Sequence, residues 1–160
     1  MTERQGPRLI RVQECREWRL WKPLRLEALL DTPIGFGELH ADAAALTDEE
    51  WRIRWARPSF RALAYRAQEA LGMAGGFRNE VGEPVLFGVY VRPAARGQGV
   101  LAALVDAVAA WAIPDPLVLD VHEDNHRAHT AYLRLGFKDT GGRVVGGGID
   151  GRDLLDMRRP

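Results

Sequence analysis

The sequence is short of cysteine, of lysine, of net charge and of long apolar runs. Its one cysteine, Cys15, excludes an internal disulfide and favours a reducing compartment, the cytoplasm. Basic and acidic side chains both number 22, so the excess positive charge that attracts nucleic acid or anionic lipid is missing. The longest apolar stretch, 97–114, is broken by Asp106 and is too short to span a bilayer. We therefore expect neither a nucleic-acid nor a membrane partner.

What the sequence does contain is typical of an α/β protein. Its 160 residues are 46% hydrophobic, which is enough for a single domain over residues 1–160 with one core. Segment 85–91 is apolar at nearly every position and predicts a central strand buried on both faces. From Gln98 to Pro114 the apolar residues recur at helical spacing, and a second buried strand follows at 117–121.

Further elements flank this central unit. Apolar spacing predicts a helix over 14–30 that is interrupted near Pro23, because proline lacks the N–H donor that a helix interior needs. Thr47 and Glu50 have the spacing of a capping box, which predicts the start of another helix. A last helix begins close to Asn125. The remaining strands are predicted at 60–65, 70–77, 137–141 and 152–157.

Residues 91–101, between the central strand and its helix, have the composition of an anion-binding turn. Gly97 and Gly99 allow a tight turn and the close approach of a ligand. The amide groups there lie at a helix N-terminus, where unpaired donors and the helix dipole favour a phosphate. Arg96 adds a positive charge. These features alone are compatible with two interpretations of residues 91–101, a phosphate-binding site and a plain strand-to-helix turn.

Two motifs together resemble the GNAT superfamily of N-acetyltransferases. Residues 91–100 (VRPAARGQGV) are similar to the family's acyl-CoA loop, Arg/Gln-x-x-Gly-x-Gly/Ala preceded by Val-x-Pro. Residues 125–137 (NHRAHTAYLRLGF) resemble its second signature, an Asn, an Ala three residues on, a Tyr four further and then Gly-Phe. The motifs stand in the family's order with a strand between them. Together they cover about residues 85–142, which we identify as the CoA-binding core.

This resemblance implies both a fold and an activity. The implied fold is a mixed, mostly antiparallel α/β sheet of six to seven strands, flanked by helices and splayed at the CoA site. The implied reaction is direct transfer of acetyl from acetyl-CoA to a primary amine of a small molecule or protein, without a metal. The lone Cys15 lies outside both motifs, which argues against a covalent enzyme intermediate. A homodimer is compatible with the sequence.

The resemblance also implies roles for single residues. The amides of residues 96–101 would hold the pyrophosphate, and the backbone of 89–91 would pair with pantetheine, with the Val91 amide near the thioester oxygen. Tyr132 would protonate the departing thiolate, since a phenol of pKa about 10 is protonated at neutral pH and can donate to a thiolate of pKa about 8.5. The implied cofactor-binding set is Val89, Tyr90, Val91, Arg96, Gly97, Gln98, Gly99, Val100, Leu101 and Asn125.

Two features leave part of this assignment open. The family usually has Gly or Ala where this chain has Leu101, and we expect that side chain to turn toward the core and leave the amides accessible. The strand 85–91 carries no carboxylate, so the general base is not evident. Glu69, Glu83 and His122, acting through water, are the candidates.

Three other interpretations compete with the acetyltransferase. His122-Glu123-x-x-His126 matches a zinc-peptidase pattern, which requires both histidines on one helix. Gly97-Gln-Gly, with Asp120 about 20 residues later, loosely fits a dinucleotide-binding fingerprint, but few residues follow for a doubly wound sheet. The third is a non-catalytic acyl-CoA-binding domain of the same fold, since Leu101 is unusual for a catalytic member.

Overall fold

A computed structural model describes residues 9–160, which form seven strands and five α-helices. Short 3₁₀ turns lie at Pro33–Gly35 and Pro93–Ala95. No helix of the described part is long and apolar enough to cross a bilayer. In chain order the elements are β1 (Ile10–Glu14), α1 (Trp18–Asp31), α2 (His40–Ala44), α3 (Asp48–Trp55), β2 (Phe60–Arg66), β3 (Glu69–Arg78), β4 (Pro84–Val91), α4 (Val100–Ala112), β5 (Leu117–His122), α5 (His126–Arg134), β6 (Lys138–Val144) and β7 (Leu154–Arg159).

The strands form one sheet in the order β1-β2-β3-β4-β5-β7-β6. Every neighbouring pair is antiparallel except β4 and β5, which run parallel. The predicted mixed, mostly antiparallel sheet flanked by helices is therefore confirmed. A doubly wound parallel sheet is not present among residues 9–160, so the dinucleotide-binding interpretation is wrong.

Helix α1 runs without a break through Pro23, so the predicted interruption is wrong. Proline at the sixth residue of α1 forfeits one backbone hydrogen bond. Trp21, Leu24 and Ala28 are each at most 4% exposed, and their burial holds the helix against the sheet. Helix α3 begins as predicted, with both hydrogen bonds of the capping box between Thr47 and Glu50 present.

The core divides into two layers, one on each face of the sheet. Alternate residues of β2 and β3 point to opposite faces, so Ala62 and Ala74 belong to one layer and Leu63 and Met73 to the other. The first layer is covered by α4 and α5, and the second by α1, α2 and α3. The two faces of the sheet thus carry different helices, and a ligand at an opening in the sheet can be approached from either side.

Such an opening lies between β4 and β5. The two strands share a single registered pair, Val85 with Val118, and part beyond it. A bulge in β4 accompanies the separation, because two residues of β4, Gly88 and Val89, oppose the single residue Ala74 of β3. Gly88 takes the positive φ of +61° there. A Cβ on Gly88 would lie 3.0 Å from the Trp21 ring, so the bulge is packed directly against α1.

The packing of α4 generates a stability prediction. Leu104 of α4 is fully buried, whereas Leu30 of α1 is 67% exposed. Leu104→Ala removes the same side-chain atoms as Leu30→Ala but leaves a cavity, so it should lower the free energy of unfolding by about 2–5 kcal/mol. Leu30→Ala should change it by about 0.5 kcal/mol or less. Urea denaturation measures both, and equal effects would contradict the assigned core.

Candidate active site

The opening between β4 and β5 leads into a cavity of about 570 Å³. It is lined from both layers of the protein: by the turn after α1, by β4 and β5, by the start of α4, by α5 and by the loop before β7. Most of the sequence-predicted cofactor and catalytic residues line this cavity. They are Val89, Tyr90, Val91, Arg96, Gly97, Gly99, Val100, Leu101, Asn125 and Tyr132.

The backbone of β4 presents unpaired groups to this opening. The N–H of Arg92 donates to Leu71 of β3 at 2.9 Å, so the N–H of Val91 points to the opposite edge, toward β5. By the same alternation Val89 faces β5 as well. Because β5 has already parted from β4 at this level, these groups are available to an extended ligand that adds to the strand edge.

The turn before α4 offers a cluster of free backbone donors. Gly97 and Gly99 both take positive φ, +75° and +84°, which explains glycine at these two positions. The N–H groups of residues 97–101 donate to no other group within residues 9–160. They gather at the N-terminus of the 13-residue α4, where the helix dipole adds to their attraction for an anion. The geometry suits a phosphate or pyrophosphate.

The side chain of Arg96 is already paired. Its Nη2 donates to Asp31 of α1 at 2.7 Å and its Nε donates to the carbonyl of Val91 at 3.0 Å. The guanidinium thus ties the end of β4 to α1, and the anion attraction of the turn comes from backbone N–H groups. A second pair reinforces the first, since Arg92 donates to both carboxylate oxygens of Glu27, four residues before Asp31.

Two predicted residues of the turn have side chains directed elsewhere. Gln98 does not line the cavity; its amide donates to the carbonyl of Ala94 at 2.9 Å and its oxygen accepts from Arg66. Leu101 packs against the core layer of α4 and α5 and also lines the cavity. The expectation that Leu101 turns toward the core therefore agrees with the structure.

Asn125 has a structural hydrogen bond and a free donor. Its Oδ1 accepts from the N–H of Ala128 at 3.3 Å and so caps α5. Its Nδ2 donates to no group within residues 9–160 and lies near Gly35 at the cavity. The amide can therefore donate to a ligand carbonyl without losing the cap.

Tyr132 lies on the face of α5 that packs against the sheet. Its ring meets Phe137 edge to face with ring centroids 5.6 Å apart, and it lines the cavity. No group of residues 9–160 hydrogen-bonds its hydroxyl. Burial raises the pKa of Tyr132 above its ordinary value, so the phenol keeps its proton throughout the neutral range.

Of the three candidate general bases, only His122 lines the cavity. Glu83 lies in the turn before β4 and accepts from Arg158 at 2.6 Å. The imidazole of His122 is 1% exposed and uses both ring nitrogens: Nδ1 accepts from the N–H of Asp124, and Nε2 lies 2.9 Å from Asp150. This ring has no lone pair left for a substrate proton.

The zinc-peptidase interpretation is wrong. His122 ends β5 and His126 begins α5, so the two histidines are not on one helix. His122 does lie near two carboxylates, Asp124 and Asp150, with potential ligand atoms within 4.8 Å of one another. A metal there would have to displace at least one of the two hydrogen bonds of the imidazole.

The cavity also contains a carboxylate that the sequence analysis named only in the dinucleotide-binding interpretation. Asp120 of β5 is the one carboxylate among the described residues that line it. Its neighbours Leu119 and Val121 are buried in the layer of α4 and α5. An acidic residue alternating with apolar ones in a central strand was the available signal, because its side chain must face the other way.

A sheet that opens beside a cluster of free N–H donors is the architecture expected of an acyl-CoA-dependent transferase. The family model described as "Acetyltransferase (GNAT) family" matches residues 16–137, and the chain belongs to this family. The family implies acetyl transfer with acetyl-CoA as cosubstrate.

Solved structures show the same fold. A putative GNAT acetyltransferase from Desulfovibrio desulfuricans is 18% identical with a TM-score of 0.72, over 94% of this chain and 98% of that one. Ribosomal-protein-alanine N-acetyltransferase from Brucella melitensis is 22% identical with a TM-score of 0.69, over the same shares. Nourseothricin acetyltransferase is 26% identical with a TM-score of 0.58, over 65% of this chain and 66% of that one. No curated protein matches the sequence.

The turn before α4 generates a binding prediction. Gly99→Glu and Gly99→Asn both replace a glycine at φ +84°, and asparagine tolerates that conformation. Only the glutamate places a negative charge at the free N–H groups. We expect CoA to bind the glutamate variant at least about tenfold more weakly than the asparagine variant, because a carboxylate within a few ångströms of a phosphate raises the binding free energy by about 1–3 kcal/mol. Calorimetry measures both, and equal affinities would contradict the phosphate assignment.

Proposed function

We propose that the protein transfers acetyl from acetyl-CoA directly to a primary amine. The observation that carries the proposal is the set of unbonded N–H groups of residues 97–101 beside the open edge of β4. The free N–H groups suit the pyrophosphate of CoA, and the open edge of β4 suits its extended pantetheine arm. Their combination at one cavity favours CoA over a simple phosphate ligand.

The proposed chemistry uses groups on both sides of the thioester. The Val91 N–H faces the opening and is available to the thioester oxygen as negative charge develops there. Tyr132 donates its proton to the sulfur as the carbon–sulfur bond breaks. Cys15 is buried and does not line the cavity. The absence of a thiol from the described lining supports direct transfer over an acetyl-enzyme intermediate.

The acceptor is proposed to enter from the side of α1 and the loop before β7. Residues 34–37 and 147–149 line the cavity there, and they include four glycines, which leave room for backbone or substrate. Related folds bear names that include ribosomal-protein-alanine and nourseothricin acetyltransferase. Both a protein N-terminus and a small-molecule amine are therefore acceptors to test.

A screen of amines tests the proposal. Release of free CoA thiol is followed with acetyl-CoA and each of an alanine-initiated peptide, spermidine and an aminoglycoside, against water alone. We expect at least one amine to raise the rate above hydrolysis and to yield its acetamide by mass spectrometry. Tight CoA binding with no turnover of any amine would instead favour the non-catalytic acyl-CoA-binding domain.

Replacement of the proposed acid gives a kinetic prediction. Tyr132→Phe keeps the ring and its packing on Phe137 but removes the proton donor. We expect kcat with the best amine to fall by about 10²–10⁴-fold while both KM values stay within about threefold. Tyr65 lies on β2 outside the cavity lining and serves as the matched control, since Tyr65→Phe should leave kcat unchanged. Wild-type turnover in the Tyr132 variant would mean that water protonates the thiolate.

A further inference from the structure

We infer that the acceptor is an amine with a single positive charge and an apolar group beside its nitrogen, rather than a polyamine or an aminoglycoside. This inference rests on the proposed function and names its class of acceptor. The evidence lies in residues 34–37 and 147–149, which line the cavity where the amine is proposed to enter. We call these two segments the acceptor mouth.

Every side chain of the acceptor mouth is apolar. Four of its residues are glycines, which contribute no side chain, and the others are Ile34, Phe36 and Ile149. Ile34 is 37% exposed and Ile149 is 40% exposed, so both retain surface that a ligand can cover. Covering this surface removes apolar area from water and stabilises the complex. The mouth therefore favours a substrate that is apolar next to its amine.

Two carboxylates flank residues 34–37 in the sequence, and both are paired within the protein. Asp31 accepts from Arg96 at 2.7 Å. Glu38 is largely buried, accepts from Arg25 at 3.1 Å and lies 2.6 Å from Arg54. A second ammonium group of a substrate would have to break one of these pairs to reach a carboxylate here.

The carboxylate that follows residues 147–149 is paired as well. Asp150 lies 2.9 Å from Nε2 of His122 and accepts from the N–H of Arg152 at 3.1 Å. The hydrogen bond from His122 is the main cause that keeps the pKa of Asp150 below its usual value. The anion of Asp150 is thus already stabilised, and the pair holds the loop before β7 against the end of β5.

Asp120 is the one carboxylate of the described lining, and no cation lies close enough to affect its pKa. It belongs to β5 and not to the acceptor mouth. One unpaired carboxylate in the lining matches one positive charge on the substrate. A second ammonium group placed at the apolar mouth would lose hydration without gaining a counter-charge, which should lower affinity by about tenfold or more.

Two pairs of acceptors test this class. The amines n-hexylamine and cadaverine have equal chain lengths and differ in a terminal methyl group against a second ammonium group. We expect kcat/KM of the wild-type protein at saturating acetyl-CoA to be at least about tenfold higher for n-hexylamine. Tetrapeptides that begin with leucine or arginine and are otherwise identical make the same comparison for a protein N-terminus. The more active pair then distinguishes a free amine from a peptide as the source.

Variants that add a carboxylate to the mouth should change this preference. In Ile34→Asp and in Ile149→Asp we expect the ratio of kcat/KM for n-hexylamine to that for cadaverine to fall by at least about tenfold. Val145→Asp is the matched control, since Val145 precedes Ile149 in the same loop, is 84% exposed and does not line the cavity. It adds the same charge and should leave the ratio within about twofold of wild type.

The ratio is informative because the intrinsic reactivity of each amine is the same with every variant. If the more active pair shows no preference for its apolar member, the acceptor class is overturned while the proposed function stands. An equal change of the ratio in Val145→Asp and in the two mouth variants would also overturn it, because net charge would then explain the change. Binding of CoA with no acetylation of any amine would overturn the proposed function, and the acceptor class with it.

Discussion

The separation of β4 from β5 is the constraint on which the rest of the site depends. A sheet interior normally satisfies its backbone groups with the next strand, but these two strands share only the pair Val85 and Val118. Burying the backbone groups of this β4 edge without hydrogen-bond partners would lower the stability of the fold. Placed at a cavity, it becomes a surface that an extended ligand can complete, and the bulge at Gly88 fixes where that surface begins.

Helix α1 keeps this opening in shape. Glu27 and Asp31, four residues apart on one face of α1, hold Arg92 and Arg96 just beyond β4. Each pair is about one third exposed, so each contributes only about 0–1 kcal/mol to stability. Their importance is geometric, because Arg96 also holds the Val91 carbonyl. The positive charge of Arg96 is therefore paired with Asp31 of α1. The free N–H groups at the start of α4 remain to attract the anion.

Much of the fold and of the candidate site could be predicted from the sequence, because the strongest sequence patterns lie in the central unit of β4, α4 and β5. The buried strands, the glycines that need positive φ and the capping box of Thr47 all depend on local chemistry. The ion pair between Arg96 and Asp31 could not be predicted, since it joins residues 65 positions apart in the sequence. The position of Asp120 at the cavity could not be predicted for a similar reason, because it depends on which face of the sheet the residue occupies and on the separation of β4 from β5. The continuity of α1 through Pro23 depends on tertiary packing of its tryptophans.

A crystal structure of the protein with bound CoA tests the central claim most directly. The account predicts that pantetheine lies along Val89 and Val91 between the parted strands, with the pyrophosphate on the N–H groups of residues 97–101. The thiol should then lie between Tyr132 on one side and the opening toward Asp120 on the other. CoA bound outside this cavity, or a pantetheine arm that makes no backbone contact with β4, would contradict the account.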